Sequence, residues 1–238
     1  MYAPEARTLL DRFAVRPGWR AVDVGCGPVG ILDVLAERVG PTGEVVGVDR
    51  EPRSVAMARD LVAERGLANV RVVEADASAT GLPRSSFDLV HARLVLVTVP
   101  DPERVLAEMI ALAHVGGWVA VQDLDPITHF CEPPHPAWNA VYEGFLTLQR
   151  ENSNDVHLGR RLFGMLRAAG LADVDMTVAT QVCHAGDFYM TQLPTITRSI
   201  WSQLVARRLF TDAELSALVA ALERHLADPG TVVVRSLL

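Results

Sequence analysis

An open, doubly wound α/β sheet with mostly parallel strands is predicted by three observations. Short β-like runs alternate with segments of helical periodicity, a glycine-rich turn joins the first run to the first helix, and acidic residues stand at the ends of the next two runs. The 238 residues are 50% hydrophobic and 21% charged, enough apolar material for a large core and too little charge for a disordered chain.

The β-like runs are 21–24, 45–48, 70–73, 88–92, 118–122, 172–179 and 231–238. Between the first five, the helices have readable ends. Ser54 is placed to cap a helix whose Val55, Ala58, Leu61 and Val62 share one face, with Gly66 as its left-handed stop. Asp101 followed by Pro102 opens another, burying Leu106, Met109, Ile110 and Ala113 before Gly116 and Gly117 end it. After the fifth run the alternation loosens. Residues 126–157 hold a proline cluster and a helix with Trp138, Val141, Tyr142, Phe145 and Leu148 on its apolar side. Residues 187–228 hold a helix over 195–209 and a second opened by the capping box Thr211 with Glu214. Both stretches read as helical lid insertions within a single domain spanning 1–238; no repeat or linker marks a second one.

Composition narrows the function. No apolar stretch nears the roughly 18 residues that span a bilayer, and the first thirteen residues lack the apolar centre of a secretory signal. All 22 basic residues are arginine against 29 acids, giving a net charge of −7. Without lysine, Schiff-base, pyridoxal and Walker-loop chemistry are excluded. The scattered arginines form no stripe for phosphates, so nucleic acid is not expected as a partner. Cys26, Cys131 and Cys183 are odd in number and lack paired metal-ligand spacing, which suits a reducing cytoplasm. The all-arginine usage fits a high-GC bacterial coding sequence.

The chemistry concentrates in the first half. Asp23-Val24-Gly25-Cys26-Gly27-Pro28-Val29-Gly30 places a Gly-x-Gly-x-x-Gly loop between a strand and a helix, where bare backbone and a helix N-terminus receive a ligand. Asp49 stands twenty-two residues beyond Gly27 and can accept both ribose hydroxyls of an adenosine. Asp76 can accept from an adenine amino group while the Ala77 backbone meets the ring. The structural alternatives are a helix-capping Asp49 and a solvated loop Asp76; the joint spacing favours a ligand at the strand ends.

These residues resemble the class I S-adenosylmethionine-dependent methyltransferases, in the broad group that includes quinone-biosynthesis and natural-product enzymes. The likeness is close over residues 21 to about 125 and looser beyond. It implies a seven-stranded, Rossmann-like sheet of order 3-2-1-4-5-7-6, the last strand antiparallel, with helices on both faces. It also implies that Gly25, Cys26, Gly27, Asp49, Arg50, Asp76, Ala77 and Arg93 bind S-adenosylmethionine, released as S-adenosylhomocysteine. Thr98 stands where the group often has histidine, and Val115 where it often has proline.

The resemblance further implies methyl transfer to an oxygen, nitrogen or carbon of a small, fairly apolar acceptor in bacterial secondary metabolism. In-line placement supplies much of the catalysis, and a histidine suits as general base. His129, six residues beyond Asp123, is the first candidate; His135, His157 and His184 are the others, while His91 in an apolar strand reads as a buried, hydrogen-bonded histidine. Asp123 and Asp125 with His129 are a weaker metal-ligand reading, and no metal is expected. Two alternatives stay open: a fold that binds S-adenosylmethionine but performs cyclisation or decarboxylation, and a non-catalytic subunit. Apolar helices in the second insertion offer a homodimer surface.

Overall fold

Runs of three to ten residues, most of them holding valine, form the strands of this protein, and amphipathic stretches form its helices. The computed structural model describes residues 3–28, 30–125 and 129–238. Val29 of the glycine loop and Pro126 at the head of the first expected insertion lie outside them. In chain order the first elements are α1 (Ala3–Arg12), β1 (Arg20–Val24), α2 (Leu32–Val39), β2 (Glu44–Asp49), α3 (Pro52–Glu64), β3 (Val70–Glu74), β4 (Phe87–Arg93), α4 (Pro102–Leu112) and β5 (Ala113–Gln122). Then come β6 (Phe130–Glu132), α5 (Pro136–Glu151), α6 (Leu158–Ala168), β7 (Ala179–His184), α7 (Gln192–Ser199), α8 (Trp201–Ala206), α9 (Asp212–Leu226) and β8 (Val232–Leu237).

The chain forms two compact units. The first takes the residues up to Asp123 together with Arg161–Met176, and the second takes Leu124–Arg160 and Thr177–Leu238. The first contains a five-stranded, fully parallel sheet of order β3-β2-β1-β4-β5. Ala21, Val22 and Val24 of β1 and Val45, Val46 and Val48 of β2 are all fully buried, as expected where helices cover both faces of a parallel sheet. Leu35 and Val39 of α2 and Val55 and Ala58 of α3 meet Ala21 and Leu89 in this core. Each fully buried leucine there contributes about 2 kcal/mol.

The helix ends follow the sequence with two corrections. Asp101 caps α4 by accepting from the Arg104 amide, and Gly66 is left-handed after α3 at φ +62°. However, α3 begins at Pro52 rather than at Ser54, because Glu51 accepts from the Arg53 amide and proline fixes the first helical φ. The glycine pair does not end α4. The helix gives way at Ala113, and Gly116, at φ +85°, sits inside β5, where the pairing slips between Phe87 and Leu89 and Val115 is fully exposed.

The second unit carries a three-stranded antiparallel sheet of order β6-β8-β7. The expected order 3-2-1-4-5-7-6 therefore holds for its first five strands, and the last strands form a sheet of their own. The run at 172–179 is not extended as a strand. Asp173 adopts φ +51° and the Asp175 carboxylate turns back onto the Met176 amide, so the strand starts at Ala179, where it finds a partner in β8. The expected helix over 195–209 is two helices broken at Ile200. The capping box of Thr211 and Glu214 opens α9 as read. Trp138 and Val141 of α5, Leu222 of α9, Leu193 of α7 and Val233 of β8 form one core cluster, and Leu148, Leu204 and Leu215 form another.

Candidate functional site

Parallel strands bring their C-terminal ends to one edge of a sheet, and four of them build a cleft in the first unit. Gly25 follows β1; Val48, Asp49 and Arg50 end β2; Ala75, Asp76 and Ala77 follow β3; Leu94, Val95, Thr98 and Val99 follow β4. The cleft encloses about 630 Å³ with its open mouth included. Gly25 and Gly27 adopt φ +69° and +59°, the region that favours glycine. At Gly25 a Cβ would also collide with Val95, standing 2.3 Å from its Cγ2, so the valine would have to shift.

Asp49 ties this loop down. Its Oδ2 accepts from the Gly27 amide at 2.9 Å and its Oδ1 from the Glu51 amide at 2.9 Å. Each oxygen keeps a further lone pair for a ligand hydroxyl. Asp76 is set similarly: its Oδ1 accepts from the Ser78 hydroxyl at 2.7 Å and the Ser78 amide at 2.8 Å. Those bonds, with weaker help from Arg50 and Arg104, hold its carboxyl below the usual range, so it remains an acceptor.

Of the expected cofactor residues, Gly25, Asp49, Arg50, Asp76 and Ala77 line the cleft, whereas Cys26, Gly27 and Arg93 are not in its lining. Gly27 acts through its bond to Asp49. The Cys26 amide donates to the Val48 carbonyl, and its buried thiol is pushed far up by burial and by the charges of Asp23 and Asp49. Arg93 ends β4 opposite Gln122. Sequence reasoning missed Leu94, Val95 and Val99, whose apolar side chains carry no chemical signature; their place directly after the fourth strand was the available clue. Leu94 holds φ +56°, uncommon for a residue with a side chain, and its amide donates to the Gln122 carbonyl. Thr98 donates to the Val95 carbonyl through its hydroxyl at 2.8 Å, closing the single helical turn at Leu96–Thr98.

His129 belongs to the second unit. Its Nδ1 lies 3.2 Å from the Tyr142 hydroxyl, with the Trp138 and Tyr142 rings edge-on at 5.2 and 5.0 Å. Burial, and secondarily the Arg235 charge, pull its pKa down to about 4, so the ring is neutral at physiological pH. Burial also raises the Tyr142 hydroxyl well above its ordinary value, with Asp125 adding to the rise. Arg235, itself 2% exposed, stacks over the Tyr189 ring at 4.0 Å.

The other histidines are engaged locally. His135 caps α5 by accepting from the Ala137 amide and stacks on His225 at 4.4 Å. His184 ends β7, exposed, with its amide bonded to Asp187. His157 stands 3.8 Å from Asp125. Asp125 pairs in bidentate fashion with Arg160, one contact at 2.6 Å, and Asp123 Oδ2 accepts from the Val97 amide at 3.3 Å. No cluster of three or more metal-ligating side chains occurs among the described residues. His91 is buried and bonded to Asp23 as the sequence suggested.

The family model described as a methyltransferase domain matches residues 16–165. This chain belongs to the methyltransferase-domain family. It is of the S-adenosylmethionine-dependent class that its motifs resemble, and S-adenosylmethionine is the cofactor of that class. Among relatives, the demethylmenaquinone methyltransferase of Geobacillus kaustophilus (strain HTA426) is 36% identical over 194 residues, covering 75% of this chain and 82% of that one. The nocamycin O-methyltransferase of Saccharothrix syringae is 41% identical over 121 residues, covering 50% of this chain. The match spans only 43% of that relative's length. The crystal structure of the [4+2]-cyclase SpnF superposes with a TM-score of 0.58 at 23% identity, covering 97% of this chain and 80% of that one, and shows likeness of fold alone. No helix among the described residues is long and apolar enough to cross a membrane.

Proposed function

We propose that this protein transfers a methyl group from S-adenosylmethionine to an oxygen, nitrogen or carbon of a small, fairly apolar molecule, in bacterial secondary metabolism. The observation that carries the reading is the convergence of Gly25, Asp49, Asp76 and Ala77 on one cleft at the ends of three neighbouring parallel strands. The residues fit the cofactor. Gly25 leaves bare backbone where a Cβ would collide with Val95, and Asp49 and Asp76 are carboxylates already oriented by backbone amides.

In this reading Asp49 receives the ribose hydroxyls, Asp76 the adenine amino group, and the Arg50 guanidinium borders the same end of the cleft. Bound there, S-adenosylmethionine supplies an electrophilic methyl on a sulfonium. The aromatic second unit, with the insertions at about 126–157 and 187–228, is proposed as the acceptor-recognising part of one catalytic domain. His129 is proposed as the group that meets the acceptor's acidic proton. Held neutral, it accepts a hydrogen bond, and its weak basicity suits an enol or phenol better than an aliphatic alcohol. The cysteine usage supports a cytoplasmic setting and the apolar second insertion a homodimer.

Calorimetric titration with S-adenosylmethionine, with NADH as control, tests the cofactor half. Binding of neither ligand refutes the proposal. A product heavier than the acceptor by one CH₂ supports methylation. The alternative reading, a fold that binds S-adenosylmethionine but performs cyclisation or decarboxylation, gives a product of unchanged mass or one lighter by CO₂.

A further inference from the structure

We propose that His91 positions the cofactor loop, acting through Asp23 and using only its Nδ1–H. The inference rests on the methyltransferase reading for its ligand readout alone. His91 and Asp23 are register partners across β4 and β1. His91 is fully buried, Asp23 is 3% exposed, and Nδ1 lies 2.7 Å from Oδ1. A carboxylate so deep needs strong donors to stay ionised, and the imidazole N–H is one.

The other oxygen of Asp23 faces the loop: a Cβ on Gly30 would come within 3.1 Å of Oδ2. The charge is felt on that loop, since Asp23 is the largest electrostatic contributor raising the Cys26 thiol, with Asp49 next. At the head of α2, Ile31 provides no side-chain cap. Asp23 therefore adds negative charge near this uncapped helix end, beside the helix's own first-turn acid Asp33, whose Oδ1 accepts from the Val34 amide at 2.8 Å. The loop lies between two carboxylates, Asp49 bonded to the Gly27 amide and Asp23 beside Gly30, and in the proposal His91 fixes how the second is turned.

The far nitrogen of the ring shows which tautomer does this. Nε2 is buried with no hydrogen-bond partner among the described residues. With Nδ1–H donating to Asp23, Nε2 is a bare lone pair, and an unpaired buried acceptor is tolerated better than an unpaired N–H. In this arrangement Oδ1 of Asp23 takes the ring's N–H while Oδ2 faces the loop.

Asparagine can place an N–H where Nδ1–H stands; leucine cannot. The test compares wild type, His91→Asn and His91→Leu by amide hydrogen exchange at Gly27 and Gly30 in ligand-free protein, and by titration with S-adenosylmethionine and S-adenosylhomocysteine. His91→Leu is expected to speed loop exchange and weaken both ligands about tenfold, and His91→Asn to stay within about threefold of wild type. Equal loss in both variants, or unchanged loop exchange in His91→Leu, overturns the proposal. Should His91→Leu fail to fold, the imidazole ¹⁵N spectrum of the wild type decides: a neutral ring protonated at Nδ1 supports the proposal, and protonation at Nε2 overturns it. Wild type that binds neither ligand while loop exchange follows the expected order refutes the methyltransferase reading alone and supports the role of His91.

Discussion

Acidification tests how deeply His129 is committed to its neutral state. The residue titrates at 6.5 when free and at about 4 in the fold, lowered first by burial and then by Arg235. Between those values the unfolded chain binds a proton that the folded chain refuses, so stability rises with pH through that window. The contribution is complete above the unfolded value and is lost as pH falls toward the folded one. At about 1.4 kcal/mol per tenfold change in proton affinity, this amounts to at most about 3 kcal/mol. Urea unfolding of wild type and His129→Gln, followed from neutral pH to about pH 4, isolates the effect, because glutamine does not titrate. The stability difference between the two proteins is expected to narrow by about 3 kcal/mol on acidification. Parallel curves would refute the argument that His129 is held neutral by its surroundings.

Three further outcomes follow from the geometry. Asp49→Ala removes both a ligand acceptor and the anchor of the Gly27 amide, and calorimetry is expected to show S-adenosylmethionine binding weakened by at least about tenfold; undiminished affinity would exclude Asp49 from the site. Gly25→Ala forces a Cβ onto Val95 at φ +69°, so a drop of about 1–3 kcal/mol in denaturant stability is expected, and pairing it with Val95→Ala relieves the collision but not the backbone. Thr211→Ala breaks the α9 capping box and is expected to cost about 1 kcal/mol in thermal or urea unfolding; an unchanged midpoint would mean that the first turn is held by packing alone.

The parallel sheet was legible because two periodicities alternate cleanly there, and its first five strands lie where the valine runs put them. Asp49, Asp76 and the glycines were legible because strand-end position and chemical type coincide. Leu94 and Val95 were not: a leucine and a valine after a strand look like core, and only the backbone shows the left-handed Leu94 and the contact of Val95 with Gly25. The misplacement at 172–179 has a similar origin. Apolar alternation there resembles a strand, yet strand identity is decided by a partner, and β8 pairs with 179–184. The break at Ile200 carries no glycine, and the nearby proline, Pro194, sits inside α7, so a continuous periodicity concealed two helices. Nor does the short β6 stand out, being three residues defined by pairing with β8.

The interleaving of the two units has an implication for recombination. The first unit closes its sheet before Leu124 but also takes in Arg161–Met176, and the other unit is drawn from the segments on either side of that stretch. A single crossover between related genes that moves the whole second unit also carries Arg161–Met176 with it, leaving the two segments of the first unit unmatched. Under the acceptor role proposed for the second unit, new preferences are reached more readily by point substitution within 124–160 and 177–238 than by shuffling whole modules. A laboratory graft has to exchange both segments at once to move the second unit intact.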